Sequence, residues 1–217
     1  MTARVVLDDG VGRAEAIDVL NAGGIVALPT DTVYGIGVAL STPGGIERLF
    51  AAKQRPPERG VALLVGSAEQ AGEVGRMTPS AKALAEALWP GGLTIVIPQR
   101  STVPLPTVLT GGAPTIGLRL PDHATPRALA GAVGPLPVTS ANVSGRPEAA
   151  DAAEIVAQLG DDIDLVLDGG PAPGGPPSTV VDCSREQAVV LRLGAIGIER
   201  LAAVLAAAGL GLRGDNG

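Results

Sequence analysis

Short apolar runs alternate with helical segments along nearly the whole chain, which favours a sheet covered by helices. The apolar runs predict strands at 5–7, 25–28, 61–65, 93–97, 115–120, 163–167, 179–182 and 189–193. Helical spacing predicts helices at 13–21, 45–53, 80–88, 125–132, 152–159 and 198–208. Because strands follow one another without a helix near 93–120 and 163–193, we expect an α/β (α+β) fold with a mixed sheet.

The composition indicates one folded domain and disfavours broad binding to nucleic acid. Hydrophobic residues make up 46% of the 217 residues, enough for a core, and 31 glycines with 19 prolines indicate many turns. The net charge of −6 opposes contact with a phosphate backbone, and one Trp, one Tyr and one Phe leave few platforms for base stacking. We expect a single domain over residues 1–212 and a disordered tail at 213–217.

One cysteine and one histidine narrow the chemistry further. A lone Cys183 excludes an internal disulfide framework, and a lone His123 excludes multi-histidine metal sites, so no protein-built metal site is expected. We interpret Cys183 as a packed thiol and His123 as a loop residue. The longest apolar stretch, 201–212, is too short to span a bilayer, and the start lacks the apolar core of a signal peptide. We therefore expect a cytoplasmic protein.

Polar side chains follow several of the predicted strands. Pro29 to Gly35 (PTDTVYG) places three hydroxyls and a carboxylate after a buried strand, where open α/β sheets bind ligands. A turn that caps local backbone groups is the alternative interpretation. Lys53, Arg55 and Arg59 lie within seven residues and could bind an anion, or could interact only with the end of a helix.

Two later segments have the same character. Residues 139–145 (TSANVSG) offer Ser140 and Asn142, and amides of this turn could face an anion if they are exposed. Ser178 enters a strand after a Gly/Pro loop, and Arg192 ends a later strand. A simple turn and a strand edge with a surface arginine are the alternatives. No glycine-rich phosphate-binding signature and no serine hydrolase motif is present.

Taken in order, seven segments resemble the YrdC/Sua5 family over about residues 10 to 205, in its short single-domain form. They are PTDTVYGIG at 29–37, KQRP at 53–56, WPGGLT at 89–94, IGLRLP at 116–121, TSANVSG at 139–145, STVVD at 178–182 and RLGAI at 192–196. The resemblance implies a twisted, mixed sheet flanked by helices around a deep cationic cavity.

The resemblance also implies an activity, that of an L-threonylcarbamoyladenylate synthase. This nucleotidyltransferase makes threonylcarbamoyl-AMP and pyrophosphate from L-threonine, bicarbonate or CO2, and ATP with Mg²⁺. The product serves the N6-threonylcarbamoyladenosine modification at tRNA position 37. The implied partners are these substrates and a downstream tRNA threonylcarbamoyl transferase complex that takes the product; a membrane and stable tRNA binding are not expected. The alternative is a paralogue that binds RNA or nucleotide without efficient synthesis.

The family's functional residues map onto matching positions of this chain. Lys53 and Arg55 are expected to be catalytic and to hold the triphosphate. The expected threonine-binding residues are Thr32, Thr115 and Ser178, with Arg119 in the strand that lines the pocket. The expected ATP-binding residues are Lys53, Arg55, Arg59, Ser140, Asn142 and Arg192. The chain departs from the family pattern at Arg59, where asparagine is common, at Glu148, where a small hydroxyl residue is common, and in 61–65, which lacks the usual histidine.

Overall fold

The computed structural model describes residues 2–54, 56, 58 and 60–213. Its strands are β1 (Arg4–Leu7), β2 (Val26–Leu28), β3 (Gly35–Gly37), β4 (Ala62–Leu64), β5 (Leu93–Pro98), β6 (Thr115–Arg119), β7 (Leu136–Ser140), β8 (Leu165–Asp168), β9 (Thr179–Asp182), β10 (Ala188–Arg192) and β11 (Leu212–Arg213). Its helices are α1 (Gly10–Asn21), α2 (Gly45–Ala52), α3 (Ala68–Val74), α4 (Pro79–Leu88), α5 (Thr107–Thr110), α6 (Ala124–Val133), α7 (Ala152–Leu159) and α8 (Ile198–Ala207).

Within this part of the chain, the strands form one sheet in the order β1-β8-β2-β3-β7-β4-β6-β5-β9-β10-β11. The pairs β1–β8, β2–β8, β4–β6, β5–β9 and β10–β11 are parallel. The pairs β2–β3, β3–β7, β4–β7, β5–β6 and β9–β10 are antiparallel. The predicted mixed sheet with flanking helices is thus confirmed.

Five elements of the structure were not predicted from the sequence: β3, β7, β11, α3 and α5. They are short, and β3 is a Gly-Ile-Gly segment, a composition that normally indicates a turn. The first motif was expected to be a loop, yet its last residue, Gly35, opens β3 and pairs with Leu28. A Cβ added to Gly35 would lie 2.4 Å from Cγ1 of Val138, so close strand packing requires glycine there. Arg213, the first residue of the expected tail, pairs with Val189, and residues 214–217 lie outside the described residues.

Helix α1 and helix α4 begin where side-chain caps satisfy their first amides. Asp9 accepts from the amides of Val11 and Gly12, both at 2.9 Å, at the start of α1. Thr78 accepts from the amide of Ala81 before α4, whose first residue is proline. These caps explain why α1 begins three residues earlier than its apolar spacing predicted.

The core lies on both faces of the sheet. Strand β2 is buried on each face: Val26 and Leu28 belong to one apolar cluster with α1 and α6, whereas Ala27 belongs to the larger cluster with α2. In β6 the two faces differ, because side chains alternate along a strand. Ile116 and Leu118 are buried in the larger cluster, and Thr115, Gly117 and Arg119 lie on the opposite face. That second face of β6 carries the polar residues of the site.

Candidate active site

A cavity of about 340 Å³ lies across one face of the sheet. Strands β3, β7, β4, β6, β5, β9 and β10 are consecutive in the sheet, and each contributes to its wall. The charged side chains of the described wall are Arg119, Arg192 and Glu148. The residues of the described wall that carry a hydroxyl are Thr30, Thr32, Tyr34, Thr94, Thr110, Thr115, Thr139, Ser140 and Ser178. The wall is therefore polar and carries charges of both signs.

Arg119 forms one wall of the cavity and is held in a single orientation. Its Nε donates to the Gly91 carbonyl at 3.1 Å, its Nη1 to Thr32 Oγ1 at 2.9 Å and its Nη2 to Asp31 Oδ1 at 2.7 Å. The residue is only 6% exposed. Burial lowers the pKa of Arg119, and the neighbouring Asp31 carboxylate opposes that shift. Two of its five N–H groups remain for a ligand in the cavity.

The turn after β2 positions Thr32 against this arginine. Thr30 Oγ1 donates to the Val33 carbonyl at 2.7 Å and accepts from the Thr32 amide at 3.1 Å. The local capping role that the sequence left open therefore belongs to Thr30, whereas the Thr32 hydroxyl faces Arg119. Thr115 lies on the same strand face as Arg119 and lines the same cavity.

Ser178 and Arg192 form another part of the cavity wall. The Ser178 hydroxyl lies 2.9 Å from Thr94 Oγ1 on the adjacent strand β5. Arg192 donates from Nε and Nη2 to the Ser178 carbonyl, at 3.2 and 2.8 Å, and from Nη2 to Ser178 Oγ at 3.2 Å. The register of β9 and β10 shifts between Val190 and Arg192, a local irregularity of the kind that redirects a side chain. Burial lowers the pKa of Arg192, whereas the charge of Glu148 raises it.

Lys53 lies behind the wall rather than in it. It is 2% exposed, and its Nζ donates to the Ser140 and Asn142 carbonyls at 2.5 and 2.7 Å. The same ammonium lies 3.3 Å from Ser140 Oγ and 3.0 Å from Asn142 Oδ1. Ser140 Oγ in turn donates to Asn142 Oδ1 at 2.6 Å. One buried charge therefore fixes the segment that ends β7, from which Ser140 reaches the cavity.

The amides of this segment are engaged internally rather than facing an anion. The amides of Asn142, Val143, Ser144 and Arg146 donate to Ser140 O, Gln158 Oε1, Lys53 O and Val143 O, respectively. The expectation that exposed amides of this turn bind an anion is therefore wrong for these four groups. The hydroxyl of Ser140 is what the segment presents to the cavity.

The structure thus brings together six of the residues expected at the site: Thr32, Thr115, Arg119, Ser140, Ser178 and Arg192 all line the cavity. Lys53 and Asn142 support it from behind. Arg55 and Arg59 lie outside the described residues. His123 caps α6 by accepting from the Thr125 amide at 3.2 Å, and Cys183 is buried.

Sequence reasoning missed Thr94, and it counted Asp31 and Tyr34 among the polar groups of the first motif without giving either a role of its own. Thr94 and Ser178 meet only in the folded chain, as do Asp31 and Arg119. Tyr34 lines the cavity, donates its hydroxyl proton to the Gly170 carbonyl at 2.6 Å and accepts from the Gly169 amide at 3.0 Å. The alternation of polar and apolar residues in Thr115–Arg119 indicated one polar face of that strand, but it gave no signal for Thr94 on the neighbouring strand.

Two absences hold for the part of the chain described. It contains no group of three or more His, Cys, Asp or Glu side chains placed to bind a metal ion. None of its helices is both long enough and apolar enough to cross a lipid bilayer.

Known proteins share this sequence pattern. The Sua5/YciO/YrdC family model, described as "Telomere recombination", matches residues 18–194. A Mycobacterium tuberculosis relative is 39% identical over 89% of this chain and 89% of its own length. The threonylcarbamoyl-AMP synthase of Bacillus subtilis is 34% identical over 88% of this chain and 56% of its own. That of Vibrio parahaemolyticus is 33% identical over 83% and 97%.

Solved structures share the fold. The crystal structure of Pyrococcus abyssi Sua5 complexed with L-threonine has a TM-score of 0.86 and 29% identity, and the match covers 98% of this chain but 62% of that one. The crystal structure of Escherichia coli YciO gives a TM-score of 0.81 at 25% identity, over 92% and 98% of the two chains. The resemblance noted in the sequence is confirmed: the chain belongs to the Sua5/YciO/YrdC family.

Proposed function

We propose that the chain is an L-threonylcarbamoyladenylate synthase, an enzyme of the nucleotidyltransferase type. It converts L-threonine, bicarbonate or CO2, and ATP into threonylcarbamoyl-AMP and pyrophosphate for modification at tRNA position 37. The observation that carries the proposal is the cavity, which is lined by hydroxyl groups and two arginines. The chain is also related to threonylcarbamoyl-AMP synthases. A family member of the same fold forms a complex with L-threonine.

The Arg119 wall is the proposed threonine subsite. Arg119 keeps two N–H groups for the amino-acid carboxylate, and an arginine donates to a carboxylate with both charge and geometry matched. Thr32, Thr115 and Ser178 provide hydroxyls around it. Asp31 holds Arg119 in place, so the guanidinium needs no reorientation when substrate binds, which lowers the entropic cost of binding.

The Ser140 and Arg192 side of the cavity is the proposed nucleotide subsite. The carbamate formed on the threonine nitrogen attacks the α-phosphorus of ATP through one oxygen; the P–O bond to pyrophosphate breaks, and pyrophosphate leaves with its electron pair. Both reactants are anions, so alignment and charge neutralisation supply the catalysis. Arg192 faces the nucleotide directly, and Lys53 acts by fixing Ser140 and Asn142. Arg55 and Arg59 are proposed to bind the triphosphate on the family pattern.

The magnesium ion belongs to the substrate in this scheme. The described wall offers one carboxylate, Glu148, and no cluster of metal-binding side chains. A Mg²⁺ ion coordinated mainly by phosphate oxygens and water fits such a site, because Mg²⁺ retains several waters and needs few protein ligands. We further propose that the enzyme works in the cytoplasm and passes its product to a tRNA threonylcarbamoyl transferase complex.

The decisive experiment is pyrophosphate release from Mg²⁺-ATP by the purified protein, with threonine and bicarbonate each supplied or omitted. Release that requires both substrates is expected. Release without threonine indicates ordinary ATP hydrolysis and contradicts the proposal. No release, together with retained binding of ATP or RNA, would favour the second candidate, a nucleotide- or RNA-binding paralogue without synthase activity.

A further inference from the structure

Thr94 is a buried hydroxyl in an otherwise apolar strand. The sequence of β5 is Leu-Thr-Ile-Val-Ile-Pro, and Val96, two residues along, lies on the same face and also lines the cavity. Thr94 is 5% exposed. A valine would fill the same volume without the cost of burying a hydroxyl, which is offset only when that hydroxyl is hydrogen-bonded. Ser178 Oγ, at 2.9 Å, is its hydrogen-bond partner.

The direction of the hydrogen bond between Thr94 and Ser178 decides where the Ser178 proton points, because either hydroxyl can be the donor. Arg192 can only donate, so its Nη2, 3.2 Å from Ser178 Oγ, occupies one acceptor position of that oxygen. If Thr94 donates to the same oxygen, both acceptor positions of Ser178 are filled. The hydroxyl proton of Ser178 then remains for an acceptor in the cavity, which Ser178 also lines. A carboxylate or carbamate oxygen is such an acceptor.

We infer that Thr94 is a positioning residue that orients the Ser178 hydroxyl as a donor toward the threonine substrate. The inference deepens the proposed function and rests on it. Thr94 need not touch the substrate: it fixes the direction of the Ser178 O–H bond, while Arg192 ties the same serine to the nucleotide side of the cavity. Loss of the Thr94 hydroxyl lets the Ser178 proton turn toward the vacated position.

The test compares Thr94→Val, which removes the hydroxyl and keeps the shape, with Thr94→Ser, which keeps the hydroxyl. Ser178→Ala and the double variant Thr94→Val/Ser178→Ala are measured beside them. The assay for all four proteins is pyrophosphate release that depends on threonine and bicarbonate. We expect Thr94→Val to raise the KM for threonine about threefold to tenfold, the range of one net hydrogen bond. The KM for ATP and kcat should change less than about twofold, and Thr94→Ser should recover most of the loss.

The double variant decides between positioning and general damage. If Thr94 acts through Ser178, adding Thr94→Val to Ser178→Ala causes no further rise in the KM for threonine, because the coupled effects are not additive. Additive effects, an equal rise in both KM values, or a Thr94→Val enzyme identical to wild type would overturn the inference while leaving the synthase proposal intact. Inactive wild-type protein would overturn both. Should Thr94→Val not fold, as judged by thermal melting, Thr94→Ala takes its place in the same comparison.

Discussion

The side chain of Lys53 lies inside the protein, and its ammonium donates to oxygens of Ser140 and Asn142, which lie 87 and 89 positions farther along the chain. Its sequence position, at the end of α2 and beside two arginines, suggested a residue that meets phosphate directly. In the structure its ammonium binds the segment that ends β7, and the expected contact of Lys53 with the triphosphate stays a prediction. A substitution should therefore affect both activity and stability.

We predict that Lys53→Met lowers synthase activity about 100-fold or more, because it removes a charge that organises the site. The free energy of unfolding should fall by about 1–3 kcal/mol, since buried oxygens lose their donor. Urea denaturation and pyrophosphate release measure the two effects. The matched control is Lys82→Met at the other lysine of the sequence, which is exposed on α4. Normal activity in Lys53→Met would contradict this role.

Cys183 illustrates a residue whose burial decides its chemistry. Burial, with a smaller contribution from the charge of Asp182, raises the pKa of this thiol to about 12. Almost no thiolate therefore exists near neutral pH, and the thiolate is the reactive form. We predict that a thiol reagent labels the folded protein negligibly near pH 8 and labels it fully in urea. We also predict that Cys183→Ala retains synthase activity; rapid labelling of the folded protein would contradict the interpretation of Cys183 as packing.

Helix α6 begins with a cap whose ring nitrogen can bind a proton. His123 Nδ1 accepts from the Thr125 amide, which requires an unprotonated nitrogen. Burial lowers the pKa of His123 below its usual 6.5, although the nearby Asp8 charge opposes the shift. The folded state therefore binds the proton less tightly than the unfolded state does. The contribution of this cap to the stability of the fold is complete above about pH 6.5 and decreases as the pH drops below that value.

We predict that the free energy of unfolding decreases between about pH 7.5 and pH 5.5 and that His123→Asn, a good cap that does not titrate, reduces this decrease. Asp8 does not interfere. Burial alone would raise its pKa, but hydrogen bonds from Arg13 and Thr125 outweigh burial and hold the pKa below 3.8, so Asp8 stays ionised throughout. Denaturant titrations at the two pH values provide the measurement. If the free energy of unfolding decreases equally with pH in both proteins, the pH dependence does not come from His123.

The loop between β10 and α8 packs against the backbone of Pro177 and Ser178 at Gly194. A Cβ added to Gly194 would lie 2.0 Å from the Pro177 carbonyl oxygen and 2.8 Å from the Ser178 carbonyl carbon. We predict that Gly194→Ala displaces the Ser178 segment and lowers synthase activity at least about tenfold, because small misplacements of binding groups are costly. The control is Gly131→Ala in α6, where nothing lies within 4 Å and alanine favours the helix. Equal activity in the two variants would contradict the prediction.

Prediction from sequence succeeded for elements with enough residues to show a period. The helix at 152–159 and the strand at 179–182 were predicted with the bounds that the structure gives. Strand β3 was not predicted because its two glycines show no apolar alternation. Both positions require glycine because Val138 packs against them, and that contact is visible only in the folded sheet. Likewise, the sequence indicated that Ser178 and Arg192 matter but gave no sign that Thr94 joins them, because that contact links strands 84 residues apart.

At the scale of the molecule, the formal net charge of −6 bears on what the protein does with tRNA. Acidic surfaces repel a phosphate backbone, so the product should be transferred by a partner rather than delivered on bound tRNA. We predict no stable complex with unmodified tRNA in a mobility-shift assay near 150 mM salt. Tight binding with a steep salt dependence would contradict this and would reveal a local basic surface.

The order of the strands has a consequence for biosynthesis. Edge strand β1 pairs only with β8 among the described strands, with Arg4 opposite Leu165, and the cavity draws on residues from Thr30 to Arg192. Sheets with such long-range pairing form slowly, because distant segments must come together before their contacts stabilise the chain. In the nascent chain β1 therefore stays unpaired until β8 emerges, and the cavity is incomplete until Arg192 emerges. Early termination or proteolysis should leave fragments that aggregate rather than fragments with partial activity.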